Sequence, residues 1–269
     1  MTKAALHVPR KRFGQHFLHD PGVIARIIAA IDPQPDDRIV EIGPGLGAIT
    51  LPLLARVRQL DAIEIDRDAI RHLNEAVAPH GSLRLHEGDV LRFDLGTLRS
   101  DERALRIVGN LPYNISTPLL FRLIEQREHI ADLHVMLQKE VIERMGASPG
   151  SEHYGRLTVM LAPWLRVEPL FDIGPGAFRP PPRVVSTFAR LTPHPVPPIP
   201  IEHPRQFAIV VAAAFSQRRK TLRNALKSLL TPHQIEAAGV PPSARAETIA
   251  PSGYAALAAQ LAEQERAAS

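Results

Sequence analysis

The sequence predicts an α/β protein, a mostly parallel sheet wrapped by helices, followed by a small all-α C-terminal domain. Three observations carry this. Short apolar runs alternate with stretches of helical periodicity from Asp20 to Met145, the rhythm of strand–helix–strand units. The first of those runs ends in the glycine-rich turn Gly43-Pro44-Gly45-Leu46-Gly47-Ala48, and Glu64 follows about 20 residues later near the end of the next strand, the spacing of a Rossmann-like nucleotide-cofactor half-fold. Finally, Pro193, Pro195, Pro197, Pro198, Pro200 and Pro204 make a semi-rigid linker beyond which every pattern is helical. The expected division is therefore residues 1–192 as one domain with a basic N-terminal arm, 193–204 as linker, and 205–269 as a helical domain.

The elements follow in order. Asp20-Pro21 starts a helix in which Val23, Ile24, Ile27, Ile28 and Ile31 recur at helical spacing, and Asp32-Pro33 ends it. Arg38 to Ile42 is a strand running into the glycine turn and then a helix through Leu54. Leu60 to Asp66 and Ser82 to His86 are the second and third strands. The apolar run Leu105 to Val108 is a fourth, buried and parallel, and Ser116-Thr117-Pro118 starts the next helix. Leu133 to Leu137 is a fifth strand leading into helical Gln138 to Met145; Tyr154 to Trp164 is another helix, and Val184 to Leu191 alternates like a strand. In the last domain, helices are expected over His203 to Phe215 and from Arg218 through Leu230, with two short ones ending near Gln264.

Composition excludes several chemistries. The 269 residues contain no cysteine, which removes disulfides, thiolate nucleophiles, Cys-ligated zinc and iron–sulfur clusters; no metal is expected. The net charge of +4 suits a polyanionic partner without specifying one. No apolar stretch reaches the roughly 18 residues of a membrane span, and no apolar signal core follows Arg10-Lys11-Arg12, so a cytoplasmic protein is expected.

Asn110-Leu111-Pro112-Tyr113 falls at the carboxyl end of the fourth strand, where open α/β sheets place their ligands. These residue types suit one reaction. An amino group on an aromatic base is a poor nucleophile because its lone pair is delocalised into the ring. Two acceptors aimed at its hydrogens, the Asn110 side-chain oxygen and the Leu111 carbonyl, favour the pyramidal nitrogen needed for attack. Pro112 stiffens the turn, and Tyr113 offers a flat face on which a base stacks.

The glycine turn admits two cofactors. Gly43-x-Gly45-x-x-Ala48 is a dinucleotide pattern and Gly43-x-Gly45-x-Gly47 an S-adenosylmethionine (SAM) pattern; Pro44 lacks an N–H that a pyrophosphate would use. With either, Glu64 is placed to accept both ribose hydroxyls, and Asp89 to accept from an adenine amino group. Further along, Arg179-Pro180-Pro181-Pro182-Arg183 is an extended loop that holds Phe178 in place, as part of the catalytic element or as a core plug. Arg218, Arg219, Lys220, Arg223 and Lys227 form a basic face which, with the basic arm, reads as a phosphate-tracking surface or as a solvated helix.

Taken together, Gly14-Gln15-His16-Phe17-Leu18, Glu41-Ile42-Gly43-Pro44-Gly45-Leu46-Gly47, Gly109-Asn110-Leu111-Pro112-Tyr113-Asn114, Leu137-Gln138-Lys139-Glu140, Tyr154-Gly155-Arg156-Leu157, Phe178-Arg179-Pro180-Pro181-Pro182 with Val184 and Ser186, and Gln217-Arg218-Arg219-Lys220-Thr221-Leu222-Arg223-Asn224 resemble the bacterial small-subunit rRNA adenine dimethyltransferases. The resemblance implies a SAM-dependent methyltransferase domain that contacts SAM through His16, Leu18, Gly43, Glu64, Asp89 and Asn110. It further implies that Asn110 to Tyr113, with Phe178, hold the target adenine. The implied reaction is dimethylation of N6 on two adjacent adenosines near the 3′ end of small-subunit rRNA, within an immature subunit and by a monomer. One departure is His16, where many members of the family have Asn; an imidazole still hydrogen-bonds the cofactor's carboxylate end. Three rivals are an NAD-dependent oxidoreductase, an assembly factor whose rRNA binding matters more than its catalysis, and a large-subunit rRNA methyltransferase of the antibiotic-resistance type.

Overall fold

The computed structural model describes residues 16–78, 82–217 and 219–267. The basic arm, with Gly14 and Gln15, and Arg218 of the basic face lie outside the described residues. In chain order the elements are β1 (Phe17–Leu18), α1 (Pro21–Ile31), β2 (Ile39–Ile42), α2 (Thr50–Leu54), β3 (Leu60–Glu64), α3 (Arg67–Val77), β4 (Leu83–Glu87), β5 (Leu105–Asn110), α4 (Ser116–Glu125), β6 (Ile130–Gln138) and α5 (Lys139–Met145). They continue as α6 (Arg156–Leu161), β7 (Leu165–Ile173), β8 (Phe178–Arg179), β9 (Ser186–Pro193), α7 (Pro204–Ala214), α8 (Leu222–Ala225), α9 (Pro232–Ala237) and α10 (Pro251–Ala267). Two compact units emerge, Met1–Ile142 with Val167–Pro193, and Glu143–Arg166 with His194–Ser269.

The first unit is built on a seven-stranded sheet of order β4-β3-β2-β5-β6-β9-β7. Neighbours from β4 through β6 are parallel, and β9 runs antiparallel to β6. β2 and β3 are buried along their whole length, Glu41, Asp61 and Glu64 included. The strand order reverses between β2 and β5, and this switch opens a crevice at their carboxyl ends, with the glycine turn on one side and Asn110 on the other. α1 forms as its sequence directs: Asp20 caps it through Val23 N–H at 2.9 Å, Pro21 opens it, Ile27, Ile28 and Ile31 are buried, and Asp32 leaves it in the left-handed region (φ 47°).

Several expectations change in this unit. The chain after the glycines stays in turns until Thr50, so α2 is one short helix rather than a helix springing from the glycine loop. β7 forms where the sequence predicts no strand, because its mixed burial shows neither alternation nor an apolar run and Pro169 interrupts it; as the last strand of the sheet it tolerates that proline. The run Leu105 to Val108 also contains Arg106, whose guanidinium meets Asp132 at 3.1 and 3.2 Å, Asp37 at 2.6 Å and the Ile31 carbonyl at 2.7 Å. A cation is tolerated in this strand because its donors meet two carboxylates and the end of α1.

The second unit has its own core, in which Tyr154, Val159, Phe207, Val211, Leu222, Leu226, Ile235, Tyr254 and Leu257 are buried. Residues 143–166, expected in the first domain, therefore belong here. The Tyr154 hydroxyl donates to Ile249 O at 2.6 Å and Tyr254 to Ala246 O at 2.7 Å, so both buried phenols are satisfied. The helices also differ from expectation: α8 spans four residues rather than running to Leu230, and α10 is a long helix of 17 residues. No helix among the described residues is long and apolar enough to cross a membrane.

Candidate active site

A cavity of about 290 Å³ lies at the carboxyl ends of β2, β3 and β5. Gly43, Gly45 and Gly47 all adopt positive φ, and a Cβ on Gly45 would stand 3.1 Å from the Phe17 ring, so a side chain there would strain the backbone and press on that ring. Its amides are already engaged: Gly43 N–H donates to Ile63 O, Gly47 N–H to Pro44 O, and Gly45 N–H to Glu64 Oε2 at 3.2 Å. Three fewer donors are left for a pyrophosphate, which disfavours the dinucleotide pattern.

Glu64 ends β3 and lines the cavity while buried. Its Oε1 accepts from Ile65 and Asp66 N–H, both at 2.9 Å. Burial raises its carboxyl above the ordinary range, and the Asp66, Gly45 and Ile65 amides oppose this by favouring the ionised form.

Glu41, which opens the motif running into the glycine turn, is a site residue whose role the sequence does not announce. It is 2% exposed in β2, lines the same cavity, and its Oε2 has no hydrogen-bond partner among the described residues. The available signal was an acid inside the otherwise apolar run Ile39 to Ile42. Burial pushes its carboxyl up to about 7; the Thr50 hydroxyl opposes the rise, and the Glu64 charge adds to it. Between the ordinary carboxyl value of about 4.3 and that raised value, the folded chain keeps a proton that the unfolded chain releases. Stability therefore falls as pH rises through this window and does not recover above it. Glu41→Gln should accordingly be more stable than wild type at about pH 8, by on the order of 3–4 kcal/mol, with the advantage vanishing below about pH 4. Equal melting temperatures at the higher pH would show that Glu41 ionises at no cost.

Asn110 is the last residue of β5 and lines the cavity. Its Nδ2 donates to His16 O at 2.8 Å, which orients the amide and leaves Oδ1 as its acceptor for a ligand. A Cβ on the preceding Gly109 would sit 2.7 Å from Ile42 O, so this glycine lets β5 approach β2 closely enough to deliver Asn110. Leu111 is fully buried; its N–H donates to Met136 O, and among the described residues its carbonyl accepts no hydrogen bond. Ile115 N–H closes the turn onto Pro112 O at 3.2 Å. Tyr113 is held at both ends, its carbonyl by Ser116 Oγ at 3.1 Å and its hydroxyl by Ser186 Oγ at 2.5 Å.

His16 reaches this site because β1 pairs with β8, Leu18 opposite Phe178, and His19 N–H donates to Ala177 O. The His16 ring tilts over Tyr113 with centroids 5.6 Å apart, and its Nδ1 is 2.8 Å from Pro180 O. A carbonyl only accepts, so Nδ1 carries the proton in that contact. Asp89 lines the cavity with Oδ1 engaged by Leu91 N–H at 3.0 Å, and Leu18 and Gly43 complete the wall.

The cavity thus gathers His16, Leu18, Gly43, Glu64, Asp89, Asn110, Leu111, Pro112 and Tyr113. Phe178 is the exception. It is 2% exposed and belongs to the first unit's core with Leu18, Met136 and Phe188, because its pairing with Leu18 directs the ring inward; it is a core plug rather than a cavity residue.

Residues 6–263 match the family described as ribosomal RNA adenine dimethylase. The ribosomal RNA small subunit methyltransferase A of Methylococcus capsulatus is 55% identical over 255 residues, covering 95% of this chain and 98% of that protein. The protein of the same name from Thiobacillus denitrificans is 53% identical over 257 residues, covering 96% and 99%. Among solved structures, a dimethyladenosine transferase from Plasmodium falciparum shares the fold with a TM-score of 0.73 at 24% identity, over 93% of this chain and 98% of that one. The 23S rRNA methyltransferase ErmE is similar at a TM-score of 0.69 and 26% identity, over 91% and 99%. A match that runs through both units, joined to a cavity that unites the glycine turn with Asn110 to Tyr113, establishes that the chain belongs to the ribosomal RNA adenine dimethylase family.

Proposed function

We propose that this protein dimethylates N6 of two adjacent adenosines near the 3′ end of small-subunit rRNA, using SAM, and that it acts as a cytoplasmic monomer on an immature small subunit. The observation that supports this most directly is the unused acceptor Asn110 Oδ1, on a residue that lines one cavity with Leu111, Tyr113, Glu64 and the glycine turn.

The residues present fit SAM. Glu64 is placed for the ribose hydroxyls and Asp89 for the adenine amino group, while the buried Glu41 carboxyl lies beside the glycine turn. When bound, SAM supplies an electrophilic methyl on a sulfonium, so the protein's task is orientation rather than covalent catalysis. Asn110 and Leu111 accept the hydrogens of the target amine and favour its pyramidal form. Tyr113 stacks on the base, and Pro112 with its Ile115 hydrogen bond keeps the turn rigid. The amine's proton leaves to solvent, and no residue is needed as general base.

Radiolabelled methyl transfer from SAM to purified immature small subunits, with nucleoside analysis, tests the reading. Labelled N6-dimethyladenosine is the expected product, and absence of label from small-subunit rRNA would overturn it.

The basic face supplies the RNA contact in this reading. Arg219, Lys220, Arg223 and Lys227 are exposed and make no ion pair among the described residues. Buried Leu222 and Leu226 anchor the segment, and Leu222 and Arg223 N–H donate to Ala244 and Pro242 O. Replacing Arg219 and Arg223 with Gln should weaken subunit binding and flatten its salt dependence by roughly one to two units, because fewer phosphate counterions are released; SAM affinity should not change. An unchanged slope would remove this face from the RNA-binding surface.

A further inference from the structure

We infer that Ser186 is a positioning residue for methyl transfer, acting through the Tyr113 hydroxyl; this rests on the function proposed above. Ser186 is the first residue of β9, opposite Gln138 of β6, and is fully buried. Its Oγ lies 2.5 Å from Tyr113 Oη, a contact between residues 73 apart in sequence. Neither hydroxyl has another partner among the described residues. A hydroxyl buried without a partner is costly, so the pair holds itself together.

The support runs from the sheet to the turn. The Ser186 end is clamped: Lys139 N–H donates to Val185 O at 3.0 Å, Thr187 Oγ1 donates to Asp172 Oδ1 at 2.7 Å, and Lys139 Nζ meets Asp172 Oδ2 at 2.6 Å. Tyr113, by contrast, sits in a turn beyond β5, where its neighbours are the Ser116 hydroxyl at its carbonyl and the His16 ring beside it. The hydroxyl bond fixes the far end of the side chain and hence its χ1. Without it the ring pivots about its Cα and the stacking face moves relative to Asn110 Oδ1. Transfer needs the amine placed to within a fraction of an ångström, so such a pivot lowers the rate at saturating substrate more than it weakens SAM.

The test is a double-mutant cycle on the full chain with Ser186→Ala, Tyr113→Phe and the double variant. Each removes a single oxygen without adding bulk. Single-turnover methyl transfer to immature small subunits is measured at saturating SAM, beside calorimetric SAM affinity. Labelling with 3-fluorotyrosine adds a readout independent of activity, since the chain has three tyrosines, Tyr113, Tyr154 and Tyr254. The Tyr113 fluorine resonance, assigned by its loss in Tyr113→Phe, should shift in Ser186→Ala while the other two stay in place. The expected result is a loss of about tenfold in rate for each single variant, no further loss beyond twofold in the double variant, and unchanged SAM affinity. Multiplying losses, a single variant within twofold of wild type, an unmoved Tyr113 resonance or a parallel fall in SAM affinity would each overturn the role. A wild-type protein that transfers no methyl group would instead overturn the functional reading, and this inference with it.

Discussion

Asn110→Ala should fold and retain most of its subunit binding, yet lose about 10²–10³ in the rate of methyl transfer, because an acceptor aimed at the reacting amine disappears. The structure refines what this substitution removes. Nδ2 of Asn110 also donates to His16 O, so Ala deletes both the proposed acceptor and the tether of the segment that carries His16. Asn110→Asp separates the two: it keeps an acceptor oxygen but sets a carboxylate against the His16 carbonyl. Asp should therefore weaken SAM binding more than Ala does, while Ala shows the larger defect once SAM is saturating. Rates within about threefold of wild type for Asn110→Ala, equivalent to less than ~1 kcal/mol, would remove Asn110 from the catalytic element.

Arg106→Ala should be among the most destabilising substitutions in the first unit, by about 3–5 kcal/mol. Its guanidinium bridges Asp132, which is 8% exposed, and Asp37, and it also donates to the Ile31 carbonyl at the end of α1. Truncation leaves two carboxylates and a helix end without their shared donor. Arg106→Lys should recover only part of the loss, since an ammonium lacks the fork that spans these partners. Denaturant unfolding measures both, and a loss under about 1 kcal/mol for Ala would show the network to be dispensable. Burial pushes the Asp132 carboxyl up, but hydrogen bonds and charge from His134 and Arg106 outweigh it and bring it down to about 2. Its contribution is thus present above the ordinary Asp value of about 3.9 and is lost as pH falls toward that lowered value.

Elements with a local physical cause were legible in the sequence. The cap Asp20, the opening Pro21, the spaced isoleucines and Asp32-Pro33 specify α1 within a dozen residues. β2 and β3 were legible although each carries buried acids, because the glycine turn and the spacing to Glu64 mark the ends of the two strands. Asn110 to Tyr113 and the glycine turn stood out in the sequence by their residue types, and the sheet's switch point brings them to one cavity.

Tertiary structure decided whatever depended on a distant partner. β7 has no periodicity of its own and is a strand because β9 lies beside it. Residues 143–166 join the second unit, where the Tyr154 hydroxyl donates to Ile249 O and its ring lies beside Phe215. Phe178 turns into the core rather than the cavity because β8 pairs with β1, and Ser186 meets Tyr113 only because β9 runs back along β6. Sequence specifies propensity and chemistry residue by residue. Which of two plausible environments a side chain occupies is set by free energies of burial and hydrogen bonding that exist only once segments remote along the chain have come together.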